Sequence, residues 1–321
     1  MQRMVVGVDN PFRFSDTNKR YLTQSYYLKQ RFGQKVMKIS LNGGFTCPNI
    51  DGTKGTGGCA FCSAGSGRFA GDPHKSITEQ FEDIRRSLEP KWGRGLYIPY
   101  FQSNTNTYCT VGKLSRLTDE ALSQPDVVGL AISTRPDCIS DDMLSFLSEL
   151  SDRTYLTVEL GVQTIHDSTA VMLNRCHTYG DFLRTADRLY SKGILFCAHI
   201  IDGLPGETFD MMMQTAEAMA KLPLHSIKIH LLHVLKGTRL ADSYMREEFS
   251  VMTLEDYVET VCSQLEVLPP ELIIQRLTGD GAKGELIAPL WSMKKFVVLN
   301  EIDKYLASHG SMQGIRYRGG V

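Results

Sequence analysis

The sequence predicts an α/β fold, a partial (β/α)6 TIM-like barrel with N- and C-terminal extensions. Three observations predict it: short apolar runs rich in β-branched residues, longer amphipathic segments between them, and a polar or glycine-rich stretch after each run. Crossovers between consecutive strands make them parallel, and a parallel barrel gathers the loops that follow its strands on one rim, where its chemistry sits. A chain of 321 residues accommodates one such barrel with additions.

Residues 1–34 precede the first strand as a basic N-terminal extension. The strand candidates are "KVMKISL" (35–41), "GLYIPYFQ" (95–102), "DVVGLAIST" (126–134), "TYLTVELGVQ" (154–163), "ILFCAHII" (194–201) and "SIKIHLLHVL" (226–235), within a core spanning 35–240. Ser76 and Glu79 read as a capping box that opens one helix. Further helices fall near 141–150, near 181–192 with a stop at Gly193, and near 210–221 with a stop before Pro223. Residues 241–321 form a C-terminal extension packed on the barrel, with helices near 254–268 and 292–308, a break at Pro269 and Pro270, and a short strand-like "ELIIQRL". No linker, low-complexity segment or internal repeat divides the chain.

Apolar residues make up 42% and charged residues 22%, as in a globular protein, and no apolar run approaches the roughly 20 residues that a membrane helix needs. The first residues lack the apolar core of a secretory signal, and the eight cysteines are not spaced as a disulfide scaffold, so a reducing cytoplasm is expected. The net charge of -1 hides an uneven distribution: residues 1–40 carry eight Lys or Arg against two Asp, and residues 276–321 carry seven against four acidic residues. Basic ends on an acidic barrel suit a nucleic acid held at the rim, or are simply the solvated faces of surface helices.

Eleven residues separate Cys47 from Cys59, and two separate Cys59 from Cys62. A disulfide uses two cysteines and a structural zinc usually four ligands, so three clustered thiols form an incomplete set. Thiolates suit iron-sulfur clusters, and a cubane takes four ligands at four irons. Three thiolates leave one iron for a chelating ligand. S-adenosylmethionine offers an amino and a carboxylate group, and electron transfer into its sulfonium would release a 5'-deoxyadenosyl radical. Phe61 is placed to lay an aromatic face near an adenine. The alternative is a zinc site completed by a histidine such as His74. Cys197 lies in an apolar strand and reads as core, whereas Cys109 and Cys138 follow strand ends and can face the site.

With "TNKRY", "CPNIDGT", "GGCAFCSA", "YFQSNTNT", "TRPDC", "VELGVQT", "GLP", "IKIHLLHVLKGT" and "TGDG" in order along nearly the whole chain, the sequence resembles the radical S-adenosylmethionine (SAM) superfamily. Within it, the sequence is most similar to the YtqA/YhcC-type (MnmL-like) branch, which is related to the radical domain of the Elongator catalytic subunit. The long interval between the first two cysteines departs from the superfamily's usual three residues and resembles the branch that includes the catalytic subunit of Elongator. The resemblance implies a 4Fe-4S cluster on Cys47, Cys59 and Cys62, S-adenosyl-L-methionine as cofactor, and a reductant such as flavodoxin or ferredoxin. It implies that the methionine part of the cofactor meets the end of the second strand, where Gln102, Asn104 and Thr105 stand in place of the family's Gly-Gly-Glu stretch. It also implies that the fifth-strand segment with Ile201, Gly203 and Pro205 backs the adenine. Arg135 can pair with the cofactor carboxylate as a bidentate fork, and Glu159 or Gln163 can hold ribose hydroxyls, although each equally suits an ordinary rim interaction. On the sixth strand, period-two alternation sets Lys228 and His230 on one face. Because an unpaired buried ammonium is costly, they are candidates for contact with an anionic substrate or for proton transfer.

The resemblance further implies a tRNA substrate, with conversion of 5-carboxymethylaminomethyl(-2-thio)uridine at the wobble position to 5-aminomethyl(-2-thio)uridine. The roughly 45 residues after Arg276 are too few for the acetyltransferase domain of the Elongator subunit, so acetyl-coenzyme A chemistry is not expected. "TNKRYLTQSYYLKQRFGQK" interleaves cations such as Arg20 and Lys29 with Tyr21, Tyr26, Tyr27 and Phe32. It is expected either to grip phosphate and stack on unpaired bases or to be an amphipathic helix whose aromatics are core. Two other functions compete: a radical enzyme acting on a peptide or small metabolite, and a non-catalytic metal-binding RNA adaptor.

Overall fold

The computed structural model describes residues 10–63, 70–279, 281 and 284–319. Ala64 and Asp280, quoted above, and the first nine residues of the basic extension lie outside them. The first six sheet strands, β1 (Val36–Leu41), β2 (Leu96–Phe101), β3 (Gly129–Thr134), β4 (Tyr155–Gln163), β5 (Leu195–Asp202) and β6 (Ser226–Leu231), pair in chain order, each parallel to the last. Their near-continuous apolar character suits strands covered on both faces. Ile39, Leu41, Phe101, Ile132, Val158, Leu160, Ile200 and Ile229 are buried in one core with residues of the crossover helices such as Phe81, Leu114, Leu147, Phe182 and Met219. Those helices are α2 (Ile77–Trp92), α3 (Val111–Leu122), α4 (Asp141–Arg153), α6 (Tyr179–Ser191) and α7 (Phe209–Ala220); the short α5 (Asp167–Met172) precedes α6. Ser76 does cap α2, accepting from Glu79 N while the Glu79 carboxylate accepts from Ser76 N at 2.8 Å.

The sheet has seven strands, not six. After the short β7 (Val234–Leu235), α8 (Arg239–Met245) and α9 (Leu254–Val267), the strand-like "ELIIQRL" becomes β8 (Ile273–Arg276) and pairs in parallel with β6. The expected sixth strand also ends early, at Leu231: Leu232 N–H to Asp202 O (2.9 Å) is the last bond of its ladder with β5, and Val234 and Leu235 pair antiparallel with β9 (Leu286–Ala288) instead. The sheet curls so far that Lys38 on β1 donates to Gln275 on β8 at 2.8 Å. The last helix, α10 (Lys295–Ser308), packs on α9.

The N-terminal segment fastens the seam between the two edge strands. Ile274 N donates to Leu22 O (2.8 Å), Leu22 N to the Gln313 side chain (2.8 Å) and Gln313 N to Arg20 O (2.9 Å), after which α1 (Gln24–Phe32) packs on both β1 and β8. Of the two expectations for this segment, the structure favours the amphipathic helix over the nucleic-acid grip. Arg20 and Tyr21 are buried, Tyr26, Tyr27 and Phe32 pack against apolar clusters, and Lys29 is paired with Asp16 at 3.2 Å. The segment is an amphipathic helix with core aromatics, because closing the seam buries more apolar surface than an extended arm would. Among the described residues, no helix is long and apolar enough to cross a membrane.

β5 ends in Asp202, which is buried and takes one hydrogen bond from Gln264 Nε2 at 2.8 Å, while its Oδ2 has no partner. Burial, with help from the Glu207 charge and against the Gln264 amide, raises its pKa from 3.8 to about 7. The fold therefore favours the protonated carboxyl. That contribution is complete below about pH 4, is lost as the pH rises toward about 7, and stays lost above. Asp202→Asn is expected to remove this slope, so that its thermal midpoint gains on the parent between pH 5 and 8 by the equivalent of a few kcal/mol, at about 1.4 kcal/mol per pKa unit. Parallel midpoint-against-pH curves for the two proteins would mean that Asp202 is ionised in the fold.

Candidate cofactor-binding site

The loop after β1 is built to present sulfur. Cys47 O accepts from the N–H groups of Ile50 (2.8 Å) and Asp51 (3.1 Å), and Gly57 and Gly58 take the left-handed conformation (φ 75° and 71°) that lets the chain double back. A tight turn, Cys62 N to Cys59 O at 3.0 Å, follows. Ala60 pins this turn from two sides: its N–H donates to Leu173 O after α5 (2.9 Å) and its carbonyl accepts from Leu240 N in α8 (3.0 Å). Cys47, Cys59 and Cys62 thereby line one cavity of about 210 Å³, together with Phe61, Gln102, Asn104, Thr105, Arg135 and Gln163. Nine of the residues singled out from sequence meet here. His74 is exposed and does not line this cavity, and neither Cys109 nor Cys138 does; Cys197 is fully buried.

Cys59 is the buried member of the trio. A hydrogen bond from Cys62 and the nearby Arg175 guanidinium pull its thiol down to about 4 against the effect of burial. Arg175 Nη1 lies 3.3 Å and Asn49 Nδ2 3.5 Å from the sulfur. Arg175 is itself held by Gly161 O (2.6 Å) and His177 (2.9 Å), and stands 5.7 Å from the Phe61 ring centroid. These donors favour a thiolate and would offset the charge of a thiolate-bound cluster. Among the described residues no three His, Cys, Asp or Glu side chains converge as one metal ion requires. A cubane instead takes each thiolate at a different iron.

Three residues of the cavity wall also carry a buried polar atom with no hydrogen-bond partner: Arg135 Nη1, Arg175 Nε and Gln163 Oε1. Unmatched donors and an acceptor in residues of one wall suit a ligand that carries both a carboxylate and donor groups, as an amino acid does. The expected Arg135 fork is not open, however. Nε and Nη2 are both spent on Asp137 at 2.9 Å, which leaves Nη1 alone for a ligand.

Six residues lie outside the cavity lining. Glu159 does not face a ribose site: it is fully buried within the barrel, where Lys38, Lys228 and His199 all bond its carboxylate. Burial opposes its ionisation, but the charges of Lys228 and Lys38 hold it well below the usual carboxylate range. Lys228 also reaches Tyr100 OH (3.2 Å) and is pulled to about 8, chiefly by burial. His230, pushed far down by burial, lies 5.4 Å from His199 between ring centroids. Ile201 packs in a small apolar cluster with Ala60 and Leu204, Pro205 sits in the turn beyond it, and a side chain on Gly203 (φ 79°) would meet Met252 at 3.1 Å, so that glycine serves packing. Sequence reasoning missed Arg175, Asn49, Lys38 and His199. The polar "NRCH" run after α5 was the readable signal for the first of these.

The sequence profile of the Radical SAM superfamily matches residues 50–219, and that of the Radical_SAM C-terminal domain matches residues 224–308. The chain belongs to the radical SAM superfamily. This radical SAM chain is similar to YtqA of Bacillus subtilis (strain 168), at 49% identity over 307 residues and 95% of each chain. It is also 25% identical, over 186 residues, to the tRNA uridine(34) acetyltransferase of Methanocaldococcus jannaschii, covering 57% of this chain and 33% of that protein. Among solved structures, the archaeal Elp3 of Methanocaldococcus infernus has the same fold, with a TM-score of 0.68 at 18% identity, covering 87% of this chain and 64%, just under two thirds, of that one. Radical SAM enzymes use a 4Fe-4S cluster and S-adenosylmethionine, and this one does likewise; the three thiols and the unmatched polar wall fit that pair.

Proposed function

We propose that Cys47, Cys59 and Cys62 hold the cluster, that Arg135, Gln163, Gln102, Asn104 and Thr105 line the place of S-adenosylmethionine beside it, and that the enzyme modifies the wobble uridine of tRNA. In this reading 35–240 is the catalytic core, flanked by extensions at 1–34 and 241–321. The net change converts 5-carboxymethylaminomethyl(-2-thio)uridine to 5-aminomethyl(-2-thio)uridine. The carbon–nitrogen bond to the carboxymethyl group breaks, and water supplies the hydrogen on the amine and the oxygen of the two-carbon oxo acid that leaves. S-adenosylmethionine would serve as the two-electron oxidant as it is cleaved to methionine and 5'-deoxyadenosine. The tRNA substrate rests on one observation, the similarity to a tRNA uridine(34) acetyltransferase. When bound, the cluster and cofactor supply a 5'-deoxyadenosyl radical, with electrons from a donor such as flavodoxin or ferredoxin. The chain's own part is to fix charge and orientation. Arg175 and Asn49 donate to Cys59, Phe61 offers an apolar wall stiffened by the Arg175 guanidinium, and Asp137 holds Arg135 so that its free Nη1 is preset.

Nucleoside mass spectrometry tests this reading on tRNA bearing the carboxymethylaminomethyl nucleoside, after anaerobic incubation with reconstituted protein, S-adenosylmethionine and a reductant. The expected result is the aminomethyl nucleoside together with deoxyadenosine. Deoxyadenosine beside an unchanged nucleoside would transfer the chemistry to a peptide or small metabolite. Bound tRNA with neither cluster absorption nor deoxyadenosine would leave a non-catalytic adaptor.

A further inference from the structure

His199 was not among the residues expected from sequence, yet it stands where the cavity meets the charged interior of the barrel. It lines the same cavity as the three cysteines, and its Nε2 lies 3.0 Å from Glu159 Oε2. Glu159 is 0% exposed and receives two ammonium groups, from Lys38 and Lys228. A carboxylate so compensated stays ionised and can only accept hydrogen bonds, so the imidazole must place its proton on Nε2. Nδ1, which makes no hydrogen bond to the described residues, is left as a lone-pair acceptor. Burial and the charges of Lys228 and Lys38 pull His199 down to about 4, so the ring remains neutral and the tautomer constant through the physiological range. The rings and charges that face it, Glu159, Lys228, Lys38 and His230, leave no acidic group free to reverse this.

A carboxymethylaminomethyl arm presents an acceptor-only carboxylate and one donor group, its secondary amine, which is protonated at neutral pH. We infer that His199 is a substrate-contacting residue whose Nδ1 accepts a hydrogen bond from that amine, with Glu159 as the positioning residue that fixes its tautomer. The inference rests on the substrate proposed above. Its physical content is orientation: the amine is held by an acceptor that a buried carboxylate keeps from rotating or changing tautomer, which sets the direction of the adjoining methylene. The other donor that could meet Nδ1 is a hydroxyl of the cofactor ribose, and the two contacts have opposite consequences for cofactor cleavage.

The test pairs a spectrum with a product ratio. In full-length protein carrying 15N-labelled histidine, the resonances absent from His199→Leu should be pyridine-type for Nδ1 and pyrrole-type for Nε2; the reverse assignment overturns the inference. Without tRNA, reconstituted His199→Leu should form deoxyadenosine within about twofold of the parent; with the modified tRNA present, its aminomethyl product per deoxyadenosine should fall about tenfold or more, the scale of one lost hydrogen bond. His199→Asn, which can offer an amide oxygen near the same place, should restore part of the ratio. A matching fall in deoxyadenosine would place the contact on the cofactor and overturn the substrate role, and so would an unchanged ratio. If the parent enzyme makes no aminomethyl nucleoside, the substrate reading fails and takes the amine contact with it, whereas the tautomer still stands or falls by the spectrum.

Discussion

Replacing Cys59 with alanine is expected to lower deoxyadenosine formation by more than about 100-fold, beyond the 10- to 100-fold typical of losing a mere supporting contact to a metal ligand. Cys59 is the buried thiol of the three, and it receives both a guanidinium and an amide donor, at 3.3 and 3.5 Å. In the proposed arrangement its removal would deprive one iron of its thiolate, and it leaves Arg175 Nη1 facing a methyl group. The reconstituted variant should also lose most of its broad visible absorption. Cys176→Ala is the control. That thiol is exposed, sits only two residues before Thr178 at the start of α6, and does not line the cavity, so activity should persist. Cleavage retained in Cys59→Ala, or lost equally in Cys176→Ala, would remove the basis for assigning the cluster to this trio.

What the sequence made legible, and what it did not, follows the range of the interaction that decides each feature. The capping box at Ser76 and Glu79 is settled within four residues, and apolar runs bounded by turn residues mark strands wherever both faces are covered. "SIKIHLLHVL" stays apolar past Leu231, and the pairing ends there because Val234 and Leu235 are taken up by β9, about fifty residues on, a non-local event. Glu159 and Gln163 illustrate the same limit within the site. Four residues apart on one strand, they should share a face, yet the ladder slips between Gly161 and Gln163, and Gln163 takes φ 69°. The bulge sends Gln163 to the cavity and leaves Glu159 in the interior. Arg135 was misjudged for a more local reason: Asp137, two residues on, is near enough to occupy its fork, and the "RPD" order carried that information. For Arg20 and Tyr21 the sequence left a surface grip and a core helix both open, because charge and aromaticity report what a side chain can do, not whether the far end of the chain will cover it.

Glu159→Gln should be the most destabilising of the single substitutions considered, by about 3 to 5 kcal/mol, the usual cost of removing one partner from a buried ion pair. The carboxylate is the common partner of Lys38, with its side chain 20% exposed, and of Lys228, with its side chain 9% exposed, and a glutamine would leave the latter ammonium uncompensated in the interior. Lys228 already sits at about 8, below its ordinary 10.5, because burial outweighs the attraction of Glu159. Without that attraction it would sit lower still and fold as the free amine. A base whose folded pKa is depressed binds fewer protons folded than unfolded, so stability rises with pH between the two values. The deficit of Glu159→Gln relative to the parent should therefore be widest near pH 7 and narrow toward pH 9, as deprotonating the lysine becomes less costly. Denaturant unfolding at the two pH values measures it. Glu159→Gln combined with Lys228→Met should recover a large part of the loss, since replacing a buried pair by apolar groups is far milder than breaking it. A single variant within about 1 kcal/mol of the parent, the range of an exposed pair, would mean that water reaches this carboxylate and that the barrel interior is not the closed, charged floor on which the His199 tautomer depends.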